Sequence, residues 1–265
     1  MRKITINLAA VAAFCIVVAS PALVSSSCAT PQTEQEDTTI IREDLGITAL
    51  KYSSPEVPSS IEFCGKVIDL SRFDRHERMD RELLAFTYMH STSLQMLKKA
   101  NRYFPIVEPI LKENGIPDDF KYLMVIESNM NPTARSSAGA AGLWQFMQGT
   151  GRDYGLEVNN NVDERYHIEK ATRAACRYLK DAYAKYKDWV AVAASYNAGQ
   201  ARIASQLAKQ DVDDSLDLQL VEETARYVYR ILAAKQLFSA PTTFGFRLRA
   251  SDLLSLIHIS EPTRH

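Results

Sequence analysis

The strongest constraint on the fold is a stripe of small and aromatic residues between Ile168 and Lys187. Ala171, Ala174, Ala175, Tyr178, Leu179, Ala182, Tyr183 and Tyr186 recur there at three- and four-residue spacing. That period places them on one face of an α-helix. The same period begins at Asp74: Met79, Leu83, Phe86 and His90 share a face that Leu94 and Leu97 continue. Tyr103-Phe104-Pro105 is expected to break that helix, because proline removes a backbone donor. A shorter helix then runs to Asn114-Gly115. Pro117-Asp118 is a start signal for another, from Phe120 to Ser128, which stops before Asn131-Pro132. Trp189 to Tyr196 reads as a short apolar helix ended by Asn197-Ala198-Gly199, and Glu222 to Phe238 as a last long one. Ile61 to Leu70 reads as a short strand or an extended arm. With no strand series and no internal repeat, the expected fold class is mostly α.

Composition excludes some functions. Hydrophobic residues make up 46% of the 265 positions and charged residues 24%, an ordinary globular balance with enough apolar material for a core. The formal net charge is −1, from 31 basic and 32 acidic residues. A nucleic-acid partner would call for a basic excess, so none is expected. The five His are scattered, without a pair at i, i+4 spacing, so neither a metal nor a cofactor is expected.

The N-terminus has the layout of an export signal: Arg2 and Lys3, an apolar stretch from Ile4 to Val18, then Pro21 and small residues. It is short for a membrane span. Residues 1–28 are read as that signal. Cys28, after Ser25-Ser26-Ser27, is read as a lipidation site for a membrane anchor, although no Leu stands where a lipoprotein box would have one. Cleavage near Ala22 or Ala29 to give a soluble form is the alternative. Residues 29–60 are rich in Thr, Glu, Ser and Pro and read as a flexible tether. An exported, periplasmic monomer is expected. Export permits a disulfide, but Cys176 falls on the apolar side of its helix and reads as a buried free thiol. Whether it pairs with Cys64 is left open. At the other end, Leu254 to Arg264 (LSLIHISEPTR) resembles the translated frame of a sequencing-library adapter. Residues 254–265 are therefore expected to be a non-native tail.

Chemistry concentrates in the helix before Asn131. Phe120, Leu123, Met124 and Glu127 stand at i, i+3, i+4 and i+7 on one face. A carboxyl on an apolar face loses solvation of its charged form, so its pKa rises. A general acid near neutral pH needs that shift. A glutamate exposed at the helix end, or paired with Arg135, is the structural alternative. The next segment, Ser136 to Gly142, is a Ser/Ala/Gly loop that lets a polymer approach the backbone. Gly142-Leu143-Trp144-Gln145-Phe146-Met147 then places an amide, a thioether and aromatics beside it. That mixture suits sugar rings, unless Trp144 and Phe146 are simply core.

Three blocks in order, ESNMNPTARSSAGAAGLWQFM, SYNAGQARI and EETARYVYRIL, resemble the catalytic domain of the soluble-lytic-transglycosylase family. The tether, DRELLAFTYMHS and KANRYFPIVEPILKENGIPDDFKYL look like the membrane-bound D-type members. The resemblance covers Ile61 to Asp252, so residues 61–253 are taken as the catalytic domain with an N-terminal helical extension. It implies a goose-lysozyme-like helical fold with a substrate cleft, and peptidoglycan glycan strands as the partner. The implied reaction cuts the β-1,4 bond between MurNAc and GlcNAc and leaves a 1,6-anhydro sugar end. Residue by residue, the resemblance makes Glu127 the catalytic acid/base and Ser136 a substrate contact near it. It places Gln145 and Met147 in the groove and makes Tyr196 and Asn197 the Tyr-Asn pair. Tyr196 is expected to hydrogen-bond near Glu127. Glu223 and Tyr227 match the block that closes the cleft. Two departures stand out: Ser195 replaces the commoner Ala, and Ala225 separates Thr224 from Arg226 where the family has Arg directly after Thr.

Ordinary glycosidases use two carboxyl groups. After Glu127 the next acidic residue is Asp153, so the sequence favours the one-carboxyl scheme in which the sugar's own C6 hydroxyl attacks. A goose-type lysozyme using water, and a peptidoglycan-binding module without chemistry, are the alternatives.

Overall fold

The structure, a computed structural model, describes residues 54–255. Cys28, the signal segment and most of the expected tether and tail lie outside the described residues. A β-hairpin comes first, β1 (Ser60–Phe63) and β2 (Lys66–Asp69), paired antiparallel with Ile61 opposite Ile68. Cys64 and Gly65 both adopt positive φ at its turn, the conformation a two-residue hairpin loop requires. The extended reading of Ile61 to Leu70 thus becomes a hairpin, with Phe63 and Ile68 buried.

Helices follow: α1 (Phe73–Tyr88), α2 (His90–Glu113), α3 (Phe120–Ser128), α4 (Gln148–Asp153), α5 (Ile168–Tyr186), α6 (Trp189–Ala198), α7 (Gln200–Lys209) and α8 (Glu222–Ser239). The mostly α fold is the one expected. Two boundaries differ from the sequence reading. The chain breaks at Met89, between α1 and α2, not at Pro105. Ser93 Oγ donates 2.6 Å to the Phe86 carbonyl and satisfies an acceptor at the end of α1. His90 and Leu94 are consequently exposed, not part of the core face. Pro105 and Pro109 sit inside a continuous α2. Tyr103, Val107, Ile110 and Leu111 bury the flanking turns, and that packing outweighs the lost backbone donors.

α6 is apolar all round and its residues Val190 to Ser195 are buried, the pattern of a central helix. Asp188 caps it, accepting from the Val190 amide at 2.7 Å. α5, α7 and α8 pack around it, and α8 also packs on α1 and α3. The α5 stripe behaves as its period demands: Ala171, Ala174, Ala175, Leu179 and Ala182 are buried. Cys176 in the same helix is a buried free thiol, and Cys64 is also free.

Candidate active site

Glu127 lies on the last turn of α3. Phe120, Leu123 and Met124 on its face are fully buried, while the Glu127 side chain itself keeps partial access to solvent. The helix ends at Asn129, which takes the left-handed conformation (φ 49°), and Met130 follows with φ 55°. No cation makes a salt bridge to Glu127 among the described residues; Arg135 does not pair with it. The contact Glu127 does make is a hydrogen bond from the Tyr227 hydroxyl to its Oε1.

The acidity of Glu127 follows from these neighbours. Burial comes first and pushes its pKa from 4.5 up to about 7. The Tyr227 hydrogen bond and the Arg230 charge pull it back, and the Glu223 charge adds to the rise. Glu223, Tyr227 and Arg230 are spaced i, i+4 and i+7 on α8, so one face of that helix presents all three. A carboxyl at about 7 is half protonated at neutral pH. It can donate a proton and then serve as the base that takes one.

Tyr196 is placed differently from expectation. Its hydroxyl donates to the Trp144 carbonyl at 2.8 Å, not to Glu127. The ring lies among Phe146 and Tyr178, with centroids 6.2 and 5.1 Å away. Burial, then the nearby Glu127 charge, raises its pKa well above the ordinary phenol value. Tyr196 therefore remains a neutral group that ties α6 to the loop carrying Gln145. Next to it, Asn197 Oδ1 accepts from Thr224 Oγ1 at 2.8 Å and ties α6 to the first turn of α8. Glu223 is exposed beside that tie, and Tyr227 is buried.

Residues 134–147 form the loop beside the carboxyl. Ser136 is exposed, and its Oγ accepts from the Ala140 amide at 3.0 Å. The Ala141 amide donates to the Phe146 carbonyl at 3.0 Å. Gln145 adopts φ 48°, and its side-chain amide donates to the Gly142 carbonyl at 2.7 Å and the Ala134 carbonyl at 3.2 Å. Met147 is 45% exposed, at the entry to α4. Trp144 and Phe146 do not offer faces to a sugar. Both are buried, and the Trp144 indole donates to Thr172 Oγ1 at 2.9 Å. Core packing is their role, because a sugar-stacking ring must keep one face open.

Sequence reasoning missed the residue that holds this loop in shape. Arg165 is 1% exposed. One of its guanidinium nitrogens, Nη1, donates to the Gly139 carbonyl at 2.8 Å and the Phe146 carbonyl at 2.9 Å. The other edge pairs with Asp163 at 2.9 and 2.7 Å. Gly142 is required for the same reason: a Cβ there would stand 1.9 Å from the Arg165 carbonyl oxygen. Only the polar run Asp163-Glu164-Arg165 hinted at this in the sequence, and nothing in it marked the arginine as buried. A groove of about 810 Å³ lined by Pro105, Lys112, Ile116 and Trp189 contains none of the site residues.

A lone carboxyl with a raised pKa, a tyrosine on it and a stapled Gly/Ala loop beside it define a class of domain. Residues 105–217 match the family described as Transglycosylase SLT domain, and the chain carries such a domain. It is 30% identical over 194 residues to membrane-bound lytic murein transglycosylase D of Escherichia coli (strain K12), covering 70% of this chain and 42% of that protein. Peptidoglycan transglycosylase gp16 of Escherichia phage T7 is 30% identical over 50% of this chain and 10% of the phage protein. Among solved structures, an inactive mutant of the lytic transglycosylase Slt from Pseudomonas aeruginosa superposes with a TM-score of 0.45. That match has 22% identity and covers 54% of this chain and 24% of that one. The chain thus spans less than half the length of the lytic murein transglycosylase D it matches.

Proposed function

We propose that this protein is a lytic transglycosylase that cleaves the β-1,4 bond between MurNAc and GlcNAc in peptidoglycan and leaves 1,6-anhydroMurNAc ends. The observation that carries the reading is the state of Glu127: a carboxyl with a pKa of about 7, held by a tyrosine hydroxyl and without a salt bridge among the described residues. Protonated, Glu127 gives its proton to the glycosidic oxygen. As a carboxylate it then takes the proton of the C6 hydroxyl on the same MurNAc. That hydroxyl bonds to C1 and closes the anhydro ring. Intramolecular attack replaces a second catalytic carboxyl. Ser136, Gln145, Met147, Tyr196, Asn197 and Glu223 are assigned to the substrate groove, and Tyr227 to Glu127 itself.

The same reading extends to location. No helix among the described residues is long and apolar enough to cross a membrane. Attachment through lipid on Cys28, with a tether through residues 29–60 and a monomeric catalytic part acting in the periplasm, is consistent with relatives named as membrane-bound. One observation keeps a hydrolase in view: the Glu223 carboxylate is near enough for its charge to act on Glu127, and a second carboxylate can activate water. The test is mass spectrometry of the muropeptides released from purified sacculi. Anhydro ends are expected; reducing ends alone would make the protein a lysozyme-type hydrolase.

A further inference from the structure

The described arginines that are not exposed are Arg75, Arg102, Arg165, Arg226 and Arg230. Four of them have acceptors. Arg75 pairs with Asp214 and Asp217, Arg165 with Asp163, and Arg226 with Glu82. Arg102 donates to the Ser255 carbonyl at 2.8 Å. Arg230 makes no hydrogen bond and no ion pair to any described residue. A guanidinium carries five donors and cannot shed its charge, so leaving one half-buried without an acceptor is costly. Arg230 also sits three residues after Tyr227, whose hydroxyl touches Glu127, and so on the same face of α8.

We infer that Arg230 is a receptor for a substrate carboxylate in the cleft, one helical turn from the group that does the chemistry. This rests on the functional reading above and names the part of the substrate that Arg230 would recognise. Glycan strands of peptidoglycan differ from chitin in bearing acid groups on one sugar of each pair. When the strand is free of peptide, the lactyl ether of MurNAc ends in a carboxylate. When peptides are attached, that carboxyl is an amide and the peptides supply the carboxylates. Either group would complete the Arg230 donors in a bidentate pair.

The opposite sign stands at the other end of the same helical face. Glu223 precedes Arg230 by seven residues, roughly 10 Å along the helix, with Tyr227 between them. A strand whose acid groups lie on one sugar of each pair is drawn to the Arg230 side and repelled from the Glu223 side. Such polarity selects which sugar lies on which side of Glu127. That choice decides the reaction, since the attacking C6 hydroxyl must belong to the MurNAc. Tyr196 from α6 also feels the Glu127 charge, and it remains neutral. The Arg230 charge also helps keep the Glu127 pKa from rising further, so loss of Arg230 should move the pH profile as well as the affinity.

The experiment measures binding calorimetrically in the Glu127→Gln background, so that ligands stay intact. Three probes are compared: a peptide-free MurNAc-GlcNAc tetrasaccharide, the same strand with stem peptides, and chitotetraose. Arg230→Gln is expected to weaken binding of one or both muramyl ligands by about 10-fold and to leave chitotetraose unchanged. Arg230→Lys should recover part of the loss, and its melting temperature should match the parent. Loss on the peptide-free strand alone assigns the lactyl carboxylate, and loss on the peptide-bearing strand alone assigns the peptide. Equal weakening of all three ligands, or none for either muramyl ligand, overturns the inference. Product analysis of the unmutated protein on sacculi is a separate arm. Selective muramyl binding through Arg230 without anhydro products would sink the transglycosylase reading and keep this one.

Discussion

Two carboxyl groups pack against neighbouring residues of α8, and their fates differ. Glu82, on α1, is 2% exposed and meets the Arg226 guanidinium, with Nε 2.6 Å from Oε1 and Nη2 3.3 Å from Oε2. Glu127, on α3, meets the hydroxyl of Tyr227, the next residue along α8. The first contact is an ion pair that fixes α8 against α1. The second leaves the carboxyl without a cation in salt-bridge range among the described residues, and its pKa climbs to about 7. One helix thus supplies a structural pair and a reactive one from consecutive positions, because side chains at i and i+1 point about 100° apart. Burial is shared by both; the partner decides which carboxyl is available for chemistry. The comparison also accounts for the displaced arginine of the EETAR block. Placed after Ala225, Arg226 reaches the buried acid of α1, Glu82.

The largest effect that would break this comparison is on turnover. Glu127→Gln should lower anhydromuropeptide release roughly 10³-fold with the fold intact, as judged by circular dichroism; near-full activity would remove Glu127 from the mechanism. The same variant has a stability signature. The native carboxyl binds its proton more tightly than the unfolded one, so stability falls as pH rises from 4.5 to about 7 and the penalty is complete above that. Glu127→Gln should therefore melt with the parent at pH 4 and above it at pH 8, by about 1–3 kcal/mol. An equal or lower melting temperature at pH 8 would mean that burial does not strain this carboxyl.

Next in size is the structural partner. Arg226→Met strands Glu82 against an apolar interface and should cost about 3 kcal/mol, somewhat less than a fully enclosed pair because Arg226 retains solvent contact. Glu82→Met combined with Arg226→Met should recover most of that stability in urea titrations. If the double variant is no better than the single, the pair is not where the energy lies.

The smallest effects separate the two tyrosines. Tyr227→Phe removes the hydroxyl that donates to Glu127 and should slow turnover about 10–100-fold, or roughly 1.4–2.7 kcal/mol. It should also shift the alkaline limb of the pH–rate profile upward, since that bond favours the carboxylate. Tyr196→Phe should leave the limb in place and lower stability by about 1 kcal/mol through the lost bond to Trp144. A shifted limb in Tyr196→Phe and none in Tyr227→Phe would reverse the two roles.

Much of this site was legible in the sequence. The spacing of Phe120, Leu123, Met124 and Glu127 placed a carboxyl on an apolar face, and the structure buries the three apolar members completely. The α5 stripe and the bounds of α3 and α8 followed from local periodicity. α4 and α7 escaped because they bury little: α4 buries Gly151, and α7 turns two large apolar residues to the core, Ile203, which is buried, and Leu207, which packs against it in part, a stripe too short to mark a helix. Pro105 of α2 was read as a break because local propensity sees the lost donor and not the packing on both sides.

By itself the sequence determined what depends on neighbours along the chain: the helices with one apolar face, the position of Glu127 on such a face, and the small-residue loop after it. The tertiary structure alone decided what depends on neighbours across the fold. It gave the Glu127 hydrogen bond to Tyr227 in place of Tyr196, although both tyrosines lie in plausible motifs. It turned Trp144 and Phe146 inward, set Arg165 under the loop, and left Arg230 without an acceptor among the described residues. The reason is range. A helical period fixes which side chains share a face within a few turns, whereas Tyr227 meets Glu127 across 100 positions of chain. Such a contact depends on how α3, α6 and α8 pack, which no local pattern records.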